Sequence, residues 1–195
     1  MFAAGTPLST APPLPLSATA LRPIVRAAID RWAAAGLDAD QIALMRRATF
    51  TITDLGGLNL GAADRFRNSI QIDDDAAGFG WFVDPTPEND SEFVLPGDQG
   101  EMNRMDLLSV VAHELGHLIG LDHDPDNSNV MGETLATGTR RLPSGSDPLE
   151  LQGVEFWTFR AGFVPSTAIT ASDNSGNADA VDYLKFRHRY LLGDV

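Results

Sequence analysis

His113-Glu114-Leu115-Gly116-His117-Leu118-Ile119-Gly120-Leu121-Asp122-His123 is the stretch on which the reading of this chain turns. In a helix, residues four apart stand on one face, so His113 and His117 reach toward the same point. Glu114 lies beside that point without taking a coordination place. Gly120 leaves the helix through a left-handed turn at little cost, which lets His123 come back as a third donor. Three neutral imidazoles are the open donor set of a catalytic zinc ion, because structural zinc sites close with four protein ligands. The remaining position is available to water, which zinc acidifies to a pKa of about 7, and Glu114 is the candidate general base. A bare His-Glu-x-x-His is ordinarily two surface histidines. Here Val110, Val111, Leu115, Leu118 and Ile119 bury the helix, and buried polar side chains need partners. Three of the four histidines in the chain fall in this stretch.

Outward from the motif, Met105 to Ile119 reads as one strongly apolar helix. Upstream, Leu21, Ile24, Val25, Ala28, Ile29 and Trp32 recur at helical spacing, with Thr19 as the expected N-cap and Gly36 as the stop. Asp38 with Gln41 forms a capping box that opens a second short helix. Alternation around Phe50 and Ile52, and again at Ile70 and Ile72, predicts two strands, with Gly56-Gly57 as a turn. Gly78 to Asp84 reads as a further strand at a sheet edge, because prolines follow it. Asp73-Asp74-Asp75 reads as a solvated turn rather than a calcium site. Pro148, behind Asp147, predicts another helix, and Ala180 to Leu192 a last one. This order predicts an α+β fold, a small twisted sheet against helices with a central active-site helix.

The run from His113 to His123 resembles the extended zinc signature of the metzincins and is most similar to matrixins and related bacterial peptidases. Val130-Met131-Gly132 resembles the methionine turn beneath the metal in that clan. The resemblance spans about residues 20–160, with its specific motifs between 113 and 132. It implies a zinc-dependent endopeptidase, a mostly antiparallel-edged sheet above the active-site helix, and polypeptide substrate lying extended along an edge strand. By position that edge is Gly78 to Val83, with Gly80, Trp81 and Phe82 at its centre. Residues 132–143, including Leu135, Arg140 and Arg141, are expected to wall the specificity pocket. Glu133 stands where some metzincins have a tyrosine, and only His188 remains for the second, structural zinc of matrixins, so that site is expected to be absent.

Composition narrows the partners. The chain has 195 residues and a net charge of −13, which excludes a nucleic-acid partner and disfavours anionic membranes. Without cysteine there is no disulfide, thiolate ligand or thiol nucleophile. No stretch is long enough for membrane insertion. Residues 1–18 read as a flexible opening that lacks the features of a signal peptide; the reading is an extracellular or cell-surface bacterial protein, monomeric, whose export signal lies outside this chain. Residues 19–165 read as the catalytic domain, and 166–195 as a linker and tail.

Within that tail, Ala171 to Asp182 can be laid on a calcium loop, with Asp173, Asp179 and Asp182 as carboxylate ligands and Gly176 at the sharp turn. Together with the following Tyr183-Leu184 it resembles a dockerin module, which implies Ca2+ and a cohesin-like surface partner. A polar linker leading into a helix explains the same residues. The rival to the endopeptidase is therefore a non-catalytic, zinc-stabilised module, or an attachment module acting through a calcium-binding tail.

Overall fold

The apolar run that carries the two histidines forms a buried helix in the core of the described residues. The computed structural model describes residues 1–7 and 12–145; the expected helices behind Asp147 and from Ala180, and the tail with Asp173, Asp179 and Asp182, lie outside the described residues. In chain order the elements are β1 (Phe2–Ala3), α1 (Ala18–Ala34), α2 (Ala39–Arg46), β2 (Thr49–Ile52), β3 (Gly61–Asp64), β4 (Ser69–Ile72), β5 (Trp81–Phe82), α3 (Ser91–Val94), β6 (Met105–Asp106), α4 (Leu107–Leu118) and β7 (Thr134–Leu135). The α+β expectation holds. No helix among the described residues is long and apolar enough to cross a membrane.

The main sheet has the order β2-β4-β3. β2 runs parallel to β4, and β3 antiparallel to it, with Gly61 opposite Ile72 and Asp64 opposite Ser69. Ile70 and Ile72 are fully buried while Gln71 between them is exposed, the alternation of a sheet with one covered face. Helix α1 presents Leu21, Ile24, Ala28, Ile29 and Trp32 to the core. The Trp32 indole donates to the Ala112 carbonyl at 3.0 Å, which fixes α1 against the middle of α4. The N-cap of α1 is Ser17, whose hydroxyl accepts from the Ala20 amide, two residues before the expected Thr19. The predicted capping box of α2 is present: Asp38 Oδ1 accepts from Gln41 N at 2.8 Å, and Gln41 Oε1 from Asp38 N at 3.0 Å.

Four sequence expectations are corrected. Helix α4 begins at Leu107 rather than Met105, because Met105 and Asp106 pair with β5 and Asp106 then caps the helix through Ser109 N. Gly80, Trp81 and Phe82 do not form an open edge for substrate: Trp81 and Phe82 lie parallel to β6 and are buried. Their bulk takes them inward, where Trp81 donates to the Asp73 carbonyl and Phe82 meets Phe93 edge-on at 5.6 Å. Nor is the opening segment loose throughout. β1 pairs in parallel with β7, and Leu16 N bonds Asp74 O at 2.7 Å. Asp73, finally, is buried rather than solvated; its carboxylate accepts from the amides of Leu55, Asp75 and Ala77 and so builds the turn itself. Burial in that turn pushes the Asp75 carboxyl up.

Candidate active site

Helix α4 ends at the place where a third ligand has to be delivered. Gly120 adopts φ 98°, its amide bonds the His117 carbonyl at 3.1 Å, and the Leu121 amide bonds the Gly116 carbonyl at 3.1 Å. These two bonds are a Schellman ending, and a left-handed residue is what that ending requires. The chain turns back there and carries His123 to the same side as His113 and His117. The three rings stand 4.6, 5.2 and 4.8 Å apart between centroids.

Hydrogen bonds settle the tautomers of the two helical rings. His113 Nδ1 lies 2.9 Å from Val130 O, and His117 Nδ1 lies 2.8 Å from Leu121 O. Carbonyls only accept, so each Nδ1 carries the hydrogen and each Nε2 presents a bare lone pair. Those Nε2 atoms nevertheless converge, with His117 at 3.0 Å from His113 and 3.2 Å from His123. Bare nitrogen lone pairs at such distances repel unless a cation stands among them, so the donor set fits a single metal ion. Burial, with the Met1 ammonium and His117 adding to it, holds the His113 imidazole down at about 2, a neutral ligand at any working pH. The His123 ring is likewise held below its ordinary value, first by desolvation and then by His117.

Beneath the triad, Met131 is buried and its sulfur fills the space left by Gly116: a Cβ there would stand 2.5 Å from Met131 Sδ and 3.2 Å from Trp32 Cζ2. The neighbouring Val130 supplies the carbonyl that orients His113. Between His123 and this turn, Asp124 accepts from the amides of Asp126, Ser128 and Asn129 and from the Ser128 hydroxyl. It organises the loop that follows His123. Those bonds hold its carboxyl below the usual carboxylate range.

Glu114 is buried on the side of α4 that faces β3. It has room only because residue 61 is glycine, since a Cβ on Gly61 would stand 2.8 Å from both Cγ and Oε1 of Glu114. Nothing in the sequence pattern pointed to Gly61, and β3 as a whole went unread, because Gly-Ala-Ala-Asp has neither β-branched nor aromatic residues. Gly61, Ala62 and Ala63 form one wall of a groove of about 430 Å³ whose other wall holds Glu114, His117 and His123. The Met1 ammonium lies in that groove, 2.8 Å from Glu114 Oε1.

The expected specificity wall is only partly there. Leu135 packs in the core beside the opening segment. Arg140 is buried among Asp84, Asp106 and Asp90. The Arg141 guanidinium ties Asn127 to the Thr134 carbonyl. Both arginines brace the segment after the methionine turn instead of lining a pocket, because paired carboxylates and carbonyls hold them more strongly than an open wall would.

His113, His117 and His123, with the buried Glu114 carboxylate beside them, form a group that could hold a metal ion. Residues 13–147 match the matrixin family model, and the chain belongs to that family. It is 34% identical over 71 residues to metalloendoproteinase 2-MMP of Arabidopsis thaliana, a match that covers 34% of this chain and 18% of that protein. The chain thus corresponds to under a fifth of the length of that relative. Matrixin membership implies zinc as the ion for the triad.

Proposed function

We propose that this chain is a zinc-dependent endopeptidase in which His113, His117 and His123 hold the metal and Glu114 is the general base. The observation that carries the reading is the convergence of the three Nε2 atoms beside a buried carboxylate, on a groove walled by the edge strand β3. When bound, zinc supplies Lewis acidity, acidifying water and polarising a carbonyl. Glu114 accepts a proton from the attacking water and returns it to the departing amine. Gly61 leaves its carboxylate the space to do so. Substrate backbone adds to the side of β3 that is not paired with β4, so the polypeptide is read first by main-chain hydrogen bonds. This edge takes the part that Gly80, Trp81 and Phe82 do not.

Stripping the metal with a chelator is expected to abolish cleavage of casein, and about one equivalent of zinc per chain to restore it. Hydrolysis that survives complete demetallation would overturn the reading. A protein that binds one zinc but cleaves no polypeptide would be the non-catalytic module instead.

Gly61→Ala probes the second wall. Its Cβ displaces the Glu114 carboxylate, and a shift of about 1 Å in a reacting group costs up to roughly 10²-fold. The expected result is a kcat lowered on that scale with zinc content, measured by atomic absorption, unchanged.

A further inference from the structure

We propose that Arg65 is a specificity-determining residue, which binds an acidic side chain of the polypeptide roughly three to four residues from the cleaved bond. The proposal rests on the peptidase reading above and names the class of substrate that the groove prefers.

Strand geometry brings this side chain to the groove. Side chains alternate across a strand, so residues 61, 63 and 65 share one face of β3 and its continuation. Gly61 identifies that face, since a Cβ there would meet Glu114 of α4. Ala63, on the same face, packs toward the core. Glycine and alanine keep this wall shallow beside the histidines, and Arg65 is the first long side chain past them. It reaches across to the end of α4: a Cβ on Gly120 would stand 3.4 Å from Arg65 Nη1 and 3.8 Å from its Cζ. Arg65 thus lines the groove together with Gly120 and Asp122.

The open edge of β3 leads a substrate toward it. Before Gly61 the edge is already in use, because Leu60 N donates to Met1 O at 3.0 Å and Phe2 pairs with Asn59. Main-chain pairing with a polypeptide is left to the stretch from Ala62 to Asp64, whose other side is paired with β4. The reacting bond lies by Glu114, opposite Gly61, and the strand covers about 13 Å from there to Arg65. An extended substrate spans that distance in roughly three to four residues once the reach of the two side chains is counted.

Charge decides what is read there. The Arg65 side chain is exposed and makes no hydrogen bond or ion pair with any described residue. The nearest carboxylate along the chain, Asp64, is taken by Arg67 at 2.6 Å. Asp122 stands in the same groove without an ion pair to Arg65. The guanidinium therefore offers its planar fork of donors intact, the geometry that takes a carboxylate through two parallel hydrogen bonds. A net charge of −13 disfavours acidic peptides over most of the surface, so an uncompensated cation in the groove makes them selective by position. Because the pair stays exposed, its effect is about fivefold at most.

The test uses short quenched peptides of alanine and leucine that carry a single Glu, Gln or Lys at each position in turn. The expected result is a kcat/KM about fivefold higher for Glu than for Gln at one position, roughly three to four residues from the cut. The gain should lie in KM rather than kcat and fade in about 1 M salt. Arg65→Glu should invert the preference at that position alone, so that Lys is taken over Glu. A preference for Lys in the unmodified chain would assign the position to Asp122 and overturn the proposal. So would a Glu preference that survives Arg65→Glu, or equal rates for all three residues at every position. If neither chain hydrolyses any peptide, the peptidase reading falls, and Arg65 is judged by fluorescence anisotropy with the same peptides carrying a dye. The Glu peptide should then bind the unmodified chain about fivefold more tightly than it binds Arg65→Glu, and equal binding would overturn the proposal as well.

Discussion

Glu114→Gln is expected to lower kcat for peptide hydrolysis by about 10²–10⁴-fold, the usual contribution of a positioned general base, while leaving zinc bound. Glutamine keeps the shape that fits under Gly61, so the groove is not remodelled. All three imidazoles remain, and Glu114 is not among the converging donors. What is lost is an oxygen basic enough to take a proton from water. The check is steady-state cleavage of a quenched peptide beside a zinc measurement on the same sample. A variant that keeps both its zinc and its rate would remove Glu114 from the mechanism, and one that loses both would place it among the groups that hold the site together.

Arg140→Met should be the most damaging single change to stability among the charged residues described. The side chain is only 4% exposed, and its guanidinium stands 2.7 Å from Asp84, 2.9 Å from Asp106 and 3.0 Å from Asp90. It also lies over the Phe93 ring at 4.2 Å. Its three carboxylates hold it still more firmly in its charged form, against a desolvation that works the other way. Methionine of similar volume leaves Asp84 and Asp106 buried without their cation. Removing one partner of a buried ion pair costs about 3–5 kcal/mol. For a chain of this size that is a fall in Tm of roughly 6–20 °C. Because Asp106 also caps α4, zinc affinity should weaken with it. Thermal unfolding measured by circular dichroism decides the matter, and a Tm within 2 °C of the unmodified chain would show that the cluster is solvated.

What could be read from the residues divides along physical lines. Helices α1 and α2 were legible because their signals are local: an apolar stripe ending at Gly36, and a capping box in which Asp38 and Gln41 satisfy each other. The three histidines and Glu114 were legible because helical geometry converts their spacing into direction. Strand β3 was not, since it matters by what it lacks, and an absent Cβ at Gly61 has no periodicity. The short β5–β6 ladder stayed hidden because two residues pair across more than twenty of sequence, and Trp81 and Phe82 suit an edge and a core equally well. Arg140 looked like part of an open wall because its partners, Asp84 and Asp106, are brought to it only by the fold. Met1 to Ala4 was misread for a similar reason. Alanine and proline around it suggest looseness, and the strands that hold it come from residues 58–60 and 133–135.

The carbonyls of Val130 and Leu121 set the direction of the His113 and His117 rings through the protein's own backbone. A pocket preset in this way has little means of choosing among divalent ions that accept three nitrogens. Occupancy then follows the Irving–Williams ranking, with copper above zinc, so the surrounding supply of metals selects the ion.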